Sequence, residues 1–343
     1  MRRRLSGLAG ALALASMSSL ALAPVTGGAA GAATGGTSRP VASPGCSRPP
    51  QAEVTGQTRT LSVGGVPRTY LLFTPPPGRR QVPVPLVLDI HGLGEGAKLH
   101  SITSMFGQLG RRDRFVTAFP QGTGSPVAWD TSATSNPNPD LQFFGTLLTS
   151  LESTYCIDTT RVYASGLSDG AFMVSLLACT MSTRLAALAA VSGLVSPSPC
   201  RPARRVPIIA FHGTGDPILY FNGGIGTAVL NHALAGGPAV TTTTVPTLLH
   251  GPGYPATVQA WAVKDGCRPR STDTRIRPQV ILRTYRCPPG VAVEFYIILG
   301  GGHAWPGSLF SQKIASITGP TTFEINATSV IWRFFQRYHT PPA

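Results

Sequence analysis

Charge is scarce in this chain. Only 12% of its 343 residues are Asp, Glu, Lys or Arg, and acids are the scarcer sign, 14 against 28 bases. The formal net charge is +14, of which Arg2, Arg3 and Arg4 supply three. Such an excess suits nucleic acid or acidic surfaces such as cell-wall polymers. What is missing argues against nucleic acid. No basic run is interleaved with aromatics, no helix is basic and no zinc-finger spacing occurs; the arginines are scattered as Arg79-Arg80, Arg111-Arg112 and Arg204-Arg205. No Cys-x-x-Cys occurs, so no metal site is expected. Past the N-terminal residues no apolar run is long enough to cross a bilayer, and no stable membrane insertion is expected. Internal repeats are absent too, which excludes solenoids.

What is present begins with an export signal over residues 1–33: the basic start, an apolar Ala-rich run from Leu5 to Leu22, and small residues with Ala30-Gly31-Ala32 as an acceptable cleavage site. Residues 34–50 are rich in Gly, Pro and Ser and read as a disordered leader. Residues 51–343 suffice for a single domain, expected as a monomer. All six cysteines lie beyond the signal, and an even count in an exported chain points to three disulfides and an extracellular destination. Cys179 with Cys200, and Cys267 with Cys287, each flank a loop; closing one stabilises a fold by about 3 kcal/mol. Cys46 and Cys156 are left as the third pair.

Thr58–Ser62 and Arg68–Phe73 read as a hairpin around Gly64-Gly65. The runs Leu86–Ile90, Phe115–Phe119, Arg161–Ser165, Leu188–Ser192, Val206–Phe211 and Ala292–Leu299 are mostly continuous in apolar residues, as in strands covered on both faces. Helical stretches fall between and after them at Leu141–Tyr155, Asp169–Thr180, Ala256–Asp265 and Ile325–Tyr338. This alternation predicts an α/β fold: a mostly parallel sheet with helices on both faces. Residues 219–253, rich in Gly and carrying Thr241–Thr244, break the rhythm and read as an insertion over the active-site face.

The chemistry centres on Gly166-Leu167-Ser168-Asp169-Gly170. With 39 glycines such a pattern arises easily by chance, so context decides. A strand precedes it and a helix, Ala171-Phe172-Met173-Val174-Ser175-Leu176-Leu177, follows, the setting of a strained turn that presents a serine nucleophile. A serine hydroxyl needs a base. His303, after the last strand, is the candidate base, and Asp216, after Val206–Phe211, would orient it; both follow the serine in the order this architecture uses. An oxyanion hole needs two N–H donors. Asp169 offers one, and Leu93, in the turn His91-Gly92-Leu93-Gly94, the other. His91 and His212 read as structural. Trp129 and Trp305 are candidates for walls of an acyl pocket, where they would stack on an aromatic acyl group.

Four segments together resemble a known family: Pro85-Leu86-Val87-Leu88-Asp89-Ile90-His91-Gly92, the Ser168 motif, His212-Gly213-Thr214-Gly215-Asp216-Pro217 and Gly301-Gly302-His303-Ala304-Trp305-Pro306-Gly307. They look like the extracellular polyhydroxybutyrate depolymerase and feruloyl esterase family of the α/β-hydrolase superfamily. Tyr155-Cys156-Ile157-Asp158 and Cys179 are similar to its feruloyl esterase branch. The resemblance implies an α/β-hydrolase fold, cofactor-free ester hydrolysis through an acyl-enzyme, and a triad of Ser168, Asp216 and His303. Many members carry Ser-Asn-Gly-Gly or Ser-Ala-Gly-Gly at the elbow. Here it is Ser168-Asp169-Gly170-Ala171, and a charge at Asp169 is expected to slow the reaction. Feruloyl-type, xylan-linked esters of plant cell walls are the first expectation and polyhydroxyalkanoates the second. A secreted binding protein that keeps the fold without activity is the alternative from another class.

Overall fold

A computed structural model describes residues 39–78, 80–226 and 247–341. The expected export signal and residues 227–246 of the expected insertion lie outside the described residues.

Ten strands form one sheet in the order β1-β2-β4-β3-β5-β6-β7-β10-β9-β8. β1 (Thr55–Val63) and β2 (Val66–Phe73) make the antiparallel hairpin, turning at Gly64 and Gly65, whose φ of 56° and 85° favours glycine. β2 pairs antiparallel with β4 (Val116–Pro120). From β4 the sheet runs parallel through β3 (Val84–Ile90), β5 (Ile157–Leu167), β6 (Ala187–Val191), β7 (Ile208–Gly213) and β10 (Val293–Ile298). β8 (Ser271–Arg277) and β9 (Val280–Tyr285) finish the far edge antiparallel.

Because successive strand residues face opposite ways, each central strand feeds two cores. On one face Leu86, Leu88 and Ile90 pack with α3 (Pro139–Thr154), α4 (Asp169–Thr180) and α5 (Tyr254–Lys264), through Phe143, Leu176 and Trp261 among others. On the other, Val87 packs with α1 (Gly96–Ser104), α2 (Phe106–Asp113) and α8 (Ala327–Phe335), through Ala97, Phe106 and Ile331. α3 starts at Pro139, two residues before the expected Leu141, because Asn138 accepts the Asp140 and Leu141 N–H groups and Pro139 is pre-set at the first turn.

β8 and α1 carry no signal in the sequence. β8 spells Ser-Thr-Asp-Thr-Arg-Ile-Arg and is largely exposed, so an edge strand here carries no apolar alternation. α1 buries His100, Ser101, Thr103 and Ser104 beside Ala97 and shows no apolar stripe. One expectation needs correction: the described part of the 34–50 leader is docked rather than disordered. Pro44–Ser47 is a 3-10 turn, Ser43 is buried and donates from Oγ to Tyr155 O at 2.8 Å, and Val41 N–H donates to Asp158. Cys46 is bridged to Cys156, which ties this segment to the start of β5. The other bridges join Cys179 to Cys200 and Cys267 to Cys287, the pairings expected from spacing.

Candidate active site

The parallel strands all end at one edge of the sheet, and the candidate residues lie just beyond those ends. β5 ends at Leu167 and α4 begins at Asp169, leaving Ser168 alone in the turn with φ 57° and ψ −120°. A side chain at positive φ costs on the order of 1–3 kcal/mol, which the packing around it must offset. The packing is close: a Cβ on Gly170 would lie 2.1 Å from Ile90 O, and one on Gly166 would lie 2.4 Å from Gly170 O. The Ser168 N–H donates to Val191 O at 2.9 Å, while among the described residues its Oγ has no hydrogen-bond partner and faces a cavity. The N-terminus of α4 points at that cavity, which favours developing negative charge there.

Asp216 follows β7, and His303 follows β10. His303 Nδ1 and Asp216 Oδ2 are 2.9 Å apart, and both side chains are almost wholly buried. The other carboxylate oxygen of Asp216 accepts the N–H groups of Ile218 and Leu219 at 2.9 and 2.8 Å. Burial pushes the Asp216 carboxyl up. The neighbouring His303, with His212 and the Leu219 N–H, outweighs burial and holds it below its ordinary range. With Asp216 as acceptor, Nδ1 of His303 carries the proton and Nε2 is left as the basic nitrogen. His212 donates from Nε2 to Leu219 O at 2.8 Å and lies 3.3 Å from Asp216 Oδ2; burial lowers its pKa to about 4, so it is a neutral brace of the acid.

Leu93 and Asp169 face the same cavity as Ser168 and His303. Gly92 N–H is held by Glu95 Oε2 at 2.9 Å and Gly94 N–H by Val127 O at 2.7 Å. The N–H groups of Leu93 and Asp169 have no hydrogen-bond acceptor among the described residues. The Asp169 carboxylate accepts Trp129 N–H at 2.9 Å, and burial raises its pKa to about 6. His91 bonds Gly92 O through Nδ1 at 2.8 Å and accepts Gly122 N–H at Nε2 at 2.9 Å; burial lowers its pKa to about 4, so it is a neutral structural residue.

Trp129 and Trp305 do not wall this cavity, contrary to expectation. Trp129 donates from Nε1 to His91 O at 2.9 Å and packs between His91 and Phe144. Trp305, 1% exposed, donates to Thr328 Oγ1 at 2.9 Å and packs against His100 and Phe106. Each indole finds a buried acceptor beneath its loop, so its ring points into a core. The cavity, about 520 Å³, is walled mainly by Leu93, Leu99, Phe172, Leu219, Phe310 and Ile314. The last two come from α6 (Leu309–Lys313) and its junction with α7 (Ala315–Thr318), a segment without helical periodicity in the sequence. Phe172 is legible as the third residue past Asp169 on a helix that starts just after Ser168. Among the described residues, no group of His, Cys, Asp or Glu side chains is arranged to hold a metal ion, and no helix is long and apolar enough to cross a membrane.

No family model matches the chain. Among curated proteins it is similar to feruloyl esterase B of Piromyces equi, 28% identical over 228 residues, covering 64% of this chain and 39% of that protein. It is also similar to the putative esterase NocK of Nocardia uniformis subsp. tsuyamanensis, 27% identical over 302 residues, covering 81% of this chain and 82% of that protein. Among solved structures, acetyl xylan esterase from Aspergillus awamori superposes with a TM-score of 0.51 at 16% identity, over 76% of this chain and 98% of that one. With the sheet order, the turn at Ser168 and the positions of Asp216 and His303, this likeness establishes that the chain has the α/β-hydrolase fold.

Proposed function

We propose that this protein is a serine carboxylic-ester hydrolase that works through an acyl-enzyme. The observation that carries the reading is the His303–Asp216 pair, 2.9 Å apart, on the same cavity as a serine at φ 57°. Ser168 Oγ attacks the ester carbonyl as its proton passes to His303 Nε2. Asp216 holds the ring and stabilises the imidazolium. The N–H groups of Leu93 and Asp169 receive the oxyanion. His303 then protonates the departing alcohol, and a water deprotonated by His303 releases the acid and restores Ser168. The fold needs no cofactor for these steps.

The similarity to a feruloyl esterase and an acetyl xylan esterase supports xylan-linked esters, feruloyl esters first, as substrates. The largely aliphatic cavity wall favours a second reading, hydrolysis of polyhydroxyalkanoate esters, whose acyl groups are aliphatic. Three disulfides support an exported, extracellular protein. The test is fluorophosphonate labelling with and without Ser168→Ala, followed by p-nitrophenyl esters, methyl ferulate and a hydroxybutyrate oligomer. Labelling at Ser168 with ferulate release is the expected result. An unlabelled parent would sink the serine mechanism and leave a binding protein; hydroxybutyrate release without ferulate would reverse the order of substrates.

A further inference from the structure

Behind the Leu93 turn lies a set of charged side chains that the proposed reaction does not use. Glu95 Oε2 accepts the Gly92 N–H at 2.9 Å and lies 3.0 Å from His100 Nδ1, while its Oε1 accepts Thr103 Oγ1 at 2.6 Å. On the far side of the ring, His100 Nε2 is 3.2 Å from Asp89 Oδ1, too oblique for a hydrogen bond but close enough for an ion pair. Asp89 accepts Ser104 Oγ at 2.5 Å and also the Oγ of Ser165. The side chains of Asp89 and His100 are fully buried, and Glu95 is 11% exposed.

We propose that Asp89, His100 and Glu95 are positioning residues that hold the Gly92-Leu93 turn where the Leu93 N–H meets the oxyanion; this rests on the serine-esterase reading. The connections span the whole site. Asp89 is level with Ser165 in the β3–β5 ladder, three residues before Ser168. The His100 ring is closed in by Phe119 and by Trp305, two residues after His303. Glu95 then fixes Gly92, whose Cα borders Ser168: a Cβ there would lie 3.3 Å from Ser168 Cβ. Glu95 and Thr103 also border the cavity, but three donors occupy the Glu95 carboxylate, so it acts through the turn.

A buried histidine between two carboxylates is stable only as the cation. Burial alone would lower His100, but Glu95 and Asp89 outweigh it and raise its pKa to about 10. Burial alone would raise Glu95, but His100 and the donors bring it to about 2. The remaining titratable neighbour, His91, is neutral. The His100–Glu95 pair is therefore charged across neutral pH.

The test uses the full protein, p-nitrophenyl butyrate and butylboronic acid, whose serine adduct resembles the tetrahedral intermediate. Glu95→Gln should lower kcat by about 10–100-fold with KM within about twofold, because a donor displaced by a fraction of an ångström matters only once charge develops. Butylboronic acid should weaken by a similar factor. Thr103→Val, which removes a single donor to Glu95, should lower kcat by about three- to tenfold, and it decides the matter if Glu95→Gln does not fold. Folded variants that keep the parent kcat and boronate affinity, even with lower melting temperatures, would reduce the cluster to a structural role. A parent protein without activity or labelling at Ser168 sinks the serine mechanism as well; a labelled parent with unaffected variants sinks only the positioning role.

Discussion

Two strand–turn–helix units meet at the cavity and are held by opposite means. From β5 into α4, the turn at Ser168 is forced by glycine contacts and by an apolar helix that buries Ala171, Met173, Val174, Leu176 and Leu177. From β3 into α1, the turn at Leu93 is held by ion pairs and hydrogen bonds among Asp89, Glu95, His100 and Thr103. The difference follows from what each turn presents. A serine oxygen needs only a fixed backbone, which steric contact supplies. A backbone N–H must be left bare while its neighbours at Gly92 and Gly94 are satisfied, which calls for acceptors under the loop. The position of the first turn should accordingly be indifferent to pH, and that of the second should not.

The largest effect expected is at the apolar unit. Ser168→Ala should lower p-nitrophenyl ester hydrolysis by at least about 10⁴-fold with little change in melting temperature. Residual activity near the parent rate would transfer the chemistry elsewhere. Next is the point where the units touch. Gly170→Ala would drive a Cβ into Ile90 O at 2.1 Å. The expected outcome is a loss of about 3 kcal/mol in denaturant unfolding and a rate lower by about 100-fold. An unchanged unfolding midpoint would mean that the contact gives way easily.

The third prediction separates the units by pH. His100 has a folded pKa near 10, above its ordinary 6.5. Its stabilisation is fully present below 6.5 and is lost as pH rises towards 10. Glu95, lowered to about 2 from 4.5, works in the other direction: its stabilisation is present above 4.5 and is lost as pH falls towards 2. The melting-temperature gap between the parent and His100→Gln should therefore narrow from pH 6 to pH 10. A constant gap would mean that the ring's shape, not its charge, matters. The smallest effect concerns Asp169, where burial raises the pKa to about 6. Its carboxylate is charged above that value, beside the developing oxyanion, and neutral below it. Asp169→Asn retains an acceptor for Trp129 N–H and should raise kcat about threefold at pH 8 but hardly at pH 5. A ratio flat with pH would show that the charge is not felt at the reacting carbonyl.

The same contrast explains what was legible. The strand before Ser168 and the helix after it are apolar runs, so their periodicity and the glycine spacing could be read directly. Asp216 and His303 were legible because chain order and strand ends confine them. α1 was not, because its inward face is polar and its reason for burial lies on β3 and in the Glu95 loop. The two tryptophans misled for a related reason: a place in the loop after a strand, as for Trp129, or proximity in sequence to His303, as for Trp305, says nothing of which way an indole turns, and a buried acceptor decided both.

The sequence by itself determined the α/β alternation, the turn that carries Ser168 and the order Ser168, Asp216, His303, because each rests on local spacing or on chain order. Only the tertiary structure decided that residues 41–48 dock on β5 and that the cavity wall is largely aliphatic. It also decided that Asp89, Glu95 and His100 form one buried charged cluster under the Leu93 turn. Those outcomes depend on which side chains face one another across separate elements, and buried charges choose their partners by distance in space.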